Sequence, residues 1–234
     1  MSTLPSPEAR LHDVQSRIAA AAAQAGRDAG TIRLLAVSKT AGADAVRDLA
    51  ACGQRDFGEN YVQEARDKQR QLADLPLVWH FVGPLQSNKT RAIAEHFSWV
   101  HSVDRLKIAE RLSAQRPDDL PPLQLCLEVN VSGESSKSGV SVEDLPALAA
   151  AVGRLPRLEL RGLMAIPAAM TGLDAQRTAF KRVRQAFEDL VARGYVLDTL
   201  SMGMSGDLEA AILEGATIVR VGTALFGERK RKDA

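Results

Sequence analysis

The sequence predicts an α/β fold, a single (β/α)8 barrel of the TIM type with an additional N-terminal helix. Apolar, strand-like runs alternate with helical patterns from Ile32 to the end, which is typical of a parallel sheet. Eight such runs fit into 234 residues, at the small end of the size range for this barrel. A doubly wound open sheet is the alternative. We favour closure because no glycine-rich dinucleotide turn follows the first run.

Residues 1–30 predict a helix that packs against the barrel. Ser6 stands at the N-cap position, Pro7 at the first helical position, and Gly26 provides the stop signal. The segment is alanine-rich but interrupted by charged residues, so it is neither a signal peptide nor a membrane span. Apolar residues recur between the two ends at helical spacing: Leu11, Val14 and Ile18.

The eight predicted strands are short, and helical patterns separate them. The strands cover residues 34–38, 56–58, 78–82, 99–102, 123–131, 159–166, 199–202 and 217–221. The clearest helix places apolar residues three and four apart before Gly194: Phe180, Val183, Phe187 and Leu190. No linker or low-complexity stretch divides the chain, so one domain is expected over residues 1–234, with 228–234 as a solvated, charged tail.

Composition excludes several classes of function. The 30 Lys and Arg residues nearly balance 29 Asp and Glu, so no global field favours nucleic acid or an acidic membrane. Cys52 and Cys126 form no CxxC motif and are expected to be buried thiols in a reducing compartment, with the cytoplasm as location. His80 and His101 lack the spacing of metal ligands, so no metal site is expected, and hydrogen bonding in the pocket wall is the favoured role.

Lys39 directly follows the first predicted strand, at the end of the barrel where function collects. Burial disfavours an ammonium group and lowers the pKa of a lysine, so a neutral amine becomes available to attack an aldehyde. The position is therefore suited to Schiff-base chemistry. A lysine that simply extends from a strand end into solvent is the alternative.

The last two strand ends predict a phosphate site. Gly203 and Gly222 allow close backbone approach after strands seven and eight, and the hydroxyls of Ser201 and Thr223 add donors. Ordinary tight turns are the alternative. Arg220 precedes Gly222 by two residues and faces the same pocket. It either binds the phosphate or, with Lys39 across the barrel, contacts the pyridine nitrogen of a bound pyridoxal ring. Because an arginine keeps its proton, it would leave that nitrogen unprotonated.

Two further segments are expected at the same face. Asn60 follows the second strand, within reach of a bound ring or its hydroxyl. The loop 133–139 is either a solvated loop or a source of a second amine. That amine, on Lys137, would receive or release the aldehyde group of a bound pyridoxal cofactor.

Along nearly its whole length, the sequence resembles the YggS/PROSC-type pyridoxal phosphate homeostasis proteins. The matching stretches are AVSKT (36–40), FGENYVQE (57–64), WHFVGPLQSNK (79–89), HSVDR (101–105), SKSG (136–139), RGLMAIP (161–167), SMGMS (201–205) and VRVGTALFG (219–227). One departure is that residues 41–42 are Ala-Gly where the family often has Lys-Pro, which leaves the start of the next helix open.

The resemblance implies a barrel like the N-terminal domain of alanine racemase that binds pyridoxal 5'-phosphate covalently through Lys39. It also implies that the family's phosphate contacts correspond to Ser201, Gly222 and Thr223, and its arginine at the pyridine nitrogen to Arg220. The residues expected to line the cofactor are Lys39, Asn60, His80, Met164, Ser201, Met202, Gly203, Arg220, Gly222 and Thr223.

Three functions share such a site. The first is a non-catalytic protein of vitamin B6 metabolism that holds pyridoxal phosphate, buffers it and passes it to apo-enzymes. The second is a racemase-like enzyme acting on amino acids, but the sequence ends at Ala234, and we expect no second domain to supply a further acid/base group or dimer contacts. The third, a Schiff-base aldolase, explains Arg220 less well. We therefore expect a monomeric carrier without nucleic-acid or membrane partners.

Overall fold

Eight parallel strands close into a barrel in the computed structural model, which describes residues 4–132 and 138–227. The predicted fold is therefore confirmed. The strands, numbered in chain order, are β1 Arg33–Val37, β2 Asp56–Glu59, β3 Val78–Phe81, β4 Trp99–Val103, β5 Leu123–Asn130, β6 Val140–Ser141, β7 Leu158–Met164, β8 Thr199–Ser201 and β9 Ile218–Val221. Around the barrel the order is β4-β3-β2-β1-β9-β8-β7-β5, and the pairing of β4 with β5 closes it. The two-residue β6 pairs with β5 and is too short to leave a sequence pattern.

Helices lie outside the strands in the alternation that the sequence predicts. They are α1 Pro7–Gln24, α2 Ala43–Ala51, α3 Val62–Gln71, α4 Thr90–His96, α5 Leu106–Gln115, α6 Leu145–Val152, α7 Leu173–Ala192, α8 Leu208–Leu213 and α9 Thr223–Phe226, with a 3-10 turn at Ala29–Thr31. The open question after Thr40 is answered by α2, which begins at Ala43 with Gly42 as its N-cap. None of the described helices is long and apolar enough to cross a membrane.

The additional N-terminal helix is present with the predicted start. Ser6 Oγ accepts a hydrogen bond from Ala9 N at 3.2 Å, which caps the helix, and Pro7 occupies its first turn. The predicted apolar face is buried. Arg17 ties α1 to α8 through an ion pair with Glu209 at 2.7 Å.

Alternation along the strands divides the interior into two layers. The larger apolar core lies between the strands and the helices and includes Phe57, Phe81 and Val219. A smaller apolar cluster fills the inside of the barrel: Leu35, Trp99, Cys126, Met164 and Ile218. Because side chains alternate, residues two apart from these also face the inside, and polar groups occupy several of those positions.

The prediction that both cysteines are buried is wrong for Cys52. Cys52 is exposed because it caps the C-terminal end of α2, beyond the last buried residue of that helix, Ala50. Cys126 is buried, and desolvation raises the pKa of its thiol to about 12. The predicted second amine, Lys137, and the charged tail 228–234 lie outside the described residues.

Candidate functional site

A strained turn carries Lys39 just beyond β1. Ala41 N donates to Ser38 O at 3.0 Å and closes the turn around Lys39 and Thr40. Thr40 has φ +68°, a left-handed conformation that a β-branched residue rarely adopts. Lys39 itself is half-buried. The surrounding structure must therefore hold this turn in place against its own conformational preference.

A cluster of ionised side chains behind the turn holds it in place. The cluster consists of Lys68, Glu59 and Glu64, and we call it the Lys68 cluster. Lys68 Nζ donates to Glu59 Oε1 at 2.7 Å, to Glu64 Oε1 at 2.8 Å and to Ser38 O at 2.7 Å. Glu64 Oε1 also accepts from Thr40 N at 2.7 Å. The peptide groups on both sides of Lys39 are thus bound by two side chains of α3, Lys68 and Glu64.

Electrostatics in the Lys68 cluster are those of a desolvated site. Glu59 is fully buried, and Lys68 is only 4% exposed. Burial raises the pKa of Glu59, and the nearby Lys68 ammonium and the Ser38 hydroxyl oppose that rise. Glu59 Oε2 has no hydrogen-bond partner within the described residues. The cluster therefore depends on Lys68 for compensation of its buried charge.

Three neighbouring strand ends meet beside this turn. β1 pairs with β2 on one side and β9 on the other, with Ala36 opposite both Phe57 and Val221. Lys39, Asn60 and Gly222 consequently follow three adjacent strands. Asn60 Oδ1 is buried and has no hydrogen-bond partner among the residues described. This unpaired acceptor is the kind of group that a ligand donor satisfies.

Glycines let the backbone pack closely around the same opening. A Cβ on Gly83 would lie 2.3 Å from Asn60 O, so no other residue fits there. Gly203 has φ +92°, and its Cβ would lie 2.5 Å from Ala211 Cβ. Across the described chain, the backbone amides of Gly222 and Thr223 donate to no residue. Both are therefore available to an anion at the end of β9.

Arg220 lies inside the barrel and is held by three acceptors. Nη1 donates to the carbonyl oxygen of Ser201 and, at 2.9 Å, to its Oγ, and Nη2 donates to Ala165 O at 3.0 Å. Burial lowers the pKa of Arg220 to about 10, which leaves it cationic at neutral pH. The Ser201 hydroxyl, which was expected at a phosphate, is fully buried in the structure and accepts a hydrogen bond from Arg220.

Two histidines continue this contact into the barrel. Ser201 Oγ lies 2.8 Å from His101 Nδ1, and His101 Nε2 lies 2.9 Å from His80 Nδ1. His80 Nε2 lies 3.0 Å from Asp56 Oδ1, at the opposite end of β2 from the opening. Both rings are fully buried, and desolvation lowers the pKa of each, that of His101 well below its ordinary value. His80, expected at the cofactor, thus lies one layer below Ser201.

The structure distributes the remaining predicted residues unevenly. Met164 belongs to the apolar cluster inside the barrel and is opposite Ser201 in the strand register. Met202 is buried in the outer core against the helices, so only its backbone lies near the turn. Sequence reasoning missed Asp56, although it stands two residues before Gly58 on the same face of β2.

Glu128 is a further polar residue near the opening that the sequence did not single out. It lies on β5 two residues after the inward-facing Cys126 and is opposite Met164 in the register. Burial raises the pKa of Glu128 to about 7, the Asp104 carboxylate adds to the rise, and the Arg220 cation opposes it. The sequence signal was the spacing of two residues between Cys126 and Glu128, which places both side chains on the same face of β5.

Comparisons with known proteins agree on one family and one fold. The family model for the alanine racemase N-terminal domain matches residues 10–230. A pyridoxal phosphate homeostasis protein of Pseudomonas aeruginosa is 68% identical over 216 residues, 92% of this chain and 93% of the relative. The structure of PipY of Synechococcus elongatus PCC7942 with PLP bound has 42% identity and a TM-score of 0.81, covering 92% of this chain and all of PipY. Alanine racemase of Corynebacterium glutamicum, at 19% identity and a TM-score of 0.62, shares the fold over 94% of this chain and 62% of the racemase.

Proposed function

The chain belongs to the family of pyridoxal phosphate homeostasis proteins, built on the alanine racemase N-terminal barrel, and from that premise we propose that it binds pyridoxal 5'-phosphate and maintains its supply. The relative from Pseudomonas aeruginosa carries this function in its name, and PipY has been solved with PLP bound. One arrangement in the chain itself supports the proposal. Lys39, the unpaired Asn60 oxygen and the Gly222 and Thr223 amides follow three adjacent strands.

The residues at this opening fit the chemical groups of pyridoxal phosphate. The Gly222 and Thr223 amides suit a phosphate, and the buried Asn60 Oδ1 suits a hydroxyl donor. Arg220 is a cation that keeps its proton, as contact with an unprotonated pyridine nitrogen requires. Pyridoxal phosphate supplies an electrophilic aldehyde when bound. The site therefore offers a partner for each polar feature of the molecule.

We assign the covalent attachment to Lys39. Its Nζ adds to the aldehyde carbon, a molecule of water leaves, and an imine bond remains. The Lys68 cluster fixes the peptide groups on either side of Lys39, so the amine starts from a defined position. The other residues proposed to contact the cofactor are Met164, Ser201, Met202 and Gly203, of which Met202 contributes through its backbone.

We further propose that the protein is a carrier, not a racemase. The relatives that match over nearly their full length are named for homeostasis, whereas alanine racemases match over only part of theirs. In this role the protein buffers the reactive aldehyde and transfers it to apo-enzymes that require it. We place it in the cytoplasm, where such enzymes and a reducing environment occur, and as a monomer.

Absorbance and mass spectrometry test the cofactor assignment. The protein purified with pyridoxal phosphate is expected to show a visible absorption band that disappears on reduction with borohydride, leaving the cofactor mass on the peptide that contains Lys39. Lys39→Ala should lose the band and keep its unfolding midpoint, whereas Lys107→Ala, at an exposed position on α5, should keep both. A band of undiminished intensity in Lys39→Ala would exclude this attachment.

Amino acids distinguish a carrier from an enzyme. A carrier exchanges its cofactor with an added amine at most once for each bound molecule, so product should stop at one equivalent. Deuterium incorporation at the α-carbon, followed by NMR over many equivalents of each amino acid, measures this. Sustained exchange would assign racemase-like activity instead.

A further inference from the structure

We infer that a chain of buried side chains positions Arg220 for the cofactor through hydrogen bonds that all run in one direction. In order from the opening its members are Ser201, His101, His80 and Asp56. The inference rests on the proposed binding of pyridoxal phosphate, and it assigns positioning roles to His101, His80 and Asp56, which follow Ser201 into the barrel.

The proton positions follow from the two ends of the chain. Arg220 is only a donor, so Ser201 Oγ accepts from it at 2.9 Å and gives its own proton to His101 Nδ1. Ionised Asp56 is only an acceptor, so His80 Nε2 donates to it at 3.0 Å. The remaining contact, at 2.9 Å, then joins a protonated His101 Nε2 to an unprotonated His80 Nδ1. Both histidines are neutral, with the proton on Nε2.

The opposite direction fails at Asp56. If His101 carried its proton on Nδ1, His80 would have to donate from Nδ1 and, as a neutral ring, present a bare Nε2 to the carboxylate. Two acceptors would then face each other at 3.0 Å. A doubly protonated His80 ring avoids this contact, but it places a cation at a fully buried position. It also leaves the Ser201 proton without an acceptor in the described structure.

The lower end of the chain is anchored. Arg33 forms an ion pair with Asp56 Oδ1 at 3.4 Å. The His80 ring stacks on Trp99, with centroids 5.4 Å apart and planes 7° from parallel. Arg33 and Arg161 in turn lie 5.5 and 5.3 Å from the Trp99 centroid. The histidine therefore has little freedom to turn its nitrogens away from their partners.

The upper end leaves Arg220 with donors for a ligand. A guanidinium group has five N–H donors, and the contacts to Ser201 O, Ser201 Oγ and Ala165 O use three, so five minus three leaves two. Three fixed acceptors restrict the plane in which those two N–H groups lie. Because Ser201 Oγ accepts well only when its own proton is taken by His101, the histidine controls one of the three contacts.

NMR of the cofactor-free protein tests the proton positions directly. The 15N shifts of the imidazoles should show the Nε2-protonated neutral form for His80 and His101 at pH 7. The exposed His12 and His96, the other two of the four histidines, serve as reference signals outside the barrel. Single His→Gln variants assign the signals. A proton on His101 Nδ1, or a doubly protonated His80, would overturn the inference whether or not the cofactor binds.

Affinity and spectrum test the positioning role. Ser201→Ala and His101→Leu should each weaken pyridoxal phosphate binding about tenfold, the effect of one charge-assisted hydrogen bond, and shift the visible band. Asp56→Ala should shift the band in the same direction, and Asp56→Asn, which keeps an acceptor oxygen, should restore it. Asp198→Asn is the matched control. Asp198 also binds an arginine beside Trp99, but it is not a member of the hydrogen-bonded chain from Ser201 to Asp56.

The outcomes separate this inference from the proposed function. If the unsubstituted protein fails to bind pyridoxal phosphate, the proposed function is wrong, and the NMR result still decides the direction of the chain. If it binds and the folded His101→Leu variant matches it in affinity and spectrum, the positioning role is wrong. Urea unfolding of each variant shows which ones are folded and therefore decisive.

Discussion

Replacing Lys68 by methionine tests whether the Lys68 cluster supports the strained turn at Lys39. Methionine keeps the length of the side chain but removes the cation, and Glu59 remains fully buried without its counter-ion. Breaking a buried ion pair in this way costs about 3–5 kcal/mol. The carboxylate also loses a hydrogen bond of 2.7 Å, and its second oxygen already has no hydrogen-bond partner in the part of the chain that the structure describes. We expect the loss of unfolding free energy caused by Lys68→Met to fall within that range at pH 8.

The loss should depend on pH in a defined direction. Burial already raises the folded-state pKa of Glu59 above its ordinary value of 4.5, and loss of Lys68 raises this pKa further. A raised carboxyl pKa means that the folded state holds a proton more tightly, so stability falls as pH rises from about 4.5 through the folded-state pKa. Lys68→Met should therefore lose less stability at pH 5 than at pH 8.

Urea unfolding at the two pH values measures this effect. The double variant Lys68→Met with Glu59→Gln removes the buried charge and should recover part of the stability lost at pH 8. Arg47→Met is the comparison, because Arg47 pairs with Asp74 at 2.6 Å on the surface, where solvent screens the pair, and its loss should change stability little at either pH. A loss below about 1 kcal/mol for Lys68→Met, equal at both pH values, would refute the reasoning.

Three further predictions concern the opening and the chain beneath it. Glu128→Gln removes a carboxyl whose pKa rises from 4.5 in the unfolded chain to about 7 in the folded protein. The variant should therefore gain up to about 3 kcal/mol of unfolding free energy over the parent at pH 8 but little at pH 4.5. Equal shifts of the urea midpoint at both pH values would contradict this. The buried histidines have lowered pKa values, so stability should fall as pH drops below 6.5, by up to about 2.7 kcal/mol per unit for the two. This slope is best measured in Glu128→Gln, where the opposing carboxyl is gone, and a flat profile there would count against neutral, buried rings. Gly203→Ala should cost about 1–3 kcal/mol, since its Cβ would meet Ala211 at 2.5 Å, whereas Gly206→Ala has open space and should be nearly neutral in thermal unfolding.

Periodicity was sufficient to predict the barrel and its first helix. Strand runs and helix caps are local signals, and Ser6, Pro7 and the eight strand patterns all correspond to elements of the structure. The placement of Lys39, Asn60 and Gly222 at one end also follows, because parallel strands present their carboxyl ends to the same side. The fold therefore determined the neighbourhood of the site before any contact was known.

Contacts between distant positions could not be predicted in the same way. Lys68 lies on a strongly polar helix and resembles a surface residue in the sequence, yet it is buried against β1 and β2. His101 and Ser201 are 100 positions apart and meet only because the barrel closes with a particular stagger of its strands. Cys52 shows the converse error, since an apolar neighbourhood in sequence did not bury a residue at the end of its helix.

The cost of the two polar networks is itself an argument for their roles. A buried ion cluster or a buried polar chain is often no more stabilising than apolar residues of similar volume. Leucine, tryptophan and methionine already fill the inside of this barrel at neighbouring positions, so apolar side chains are compatible with the space. The Lys68 cluster instead contacts the peptide groups on both sides of Lys39, and the histidine chain ends at Arg220. Each network thus reaches one of the two basic side chains proposed to bind the cofactor, Lys39 and Arg220, and we attribute both networks to the positioning of those side chains.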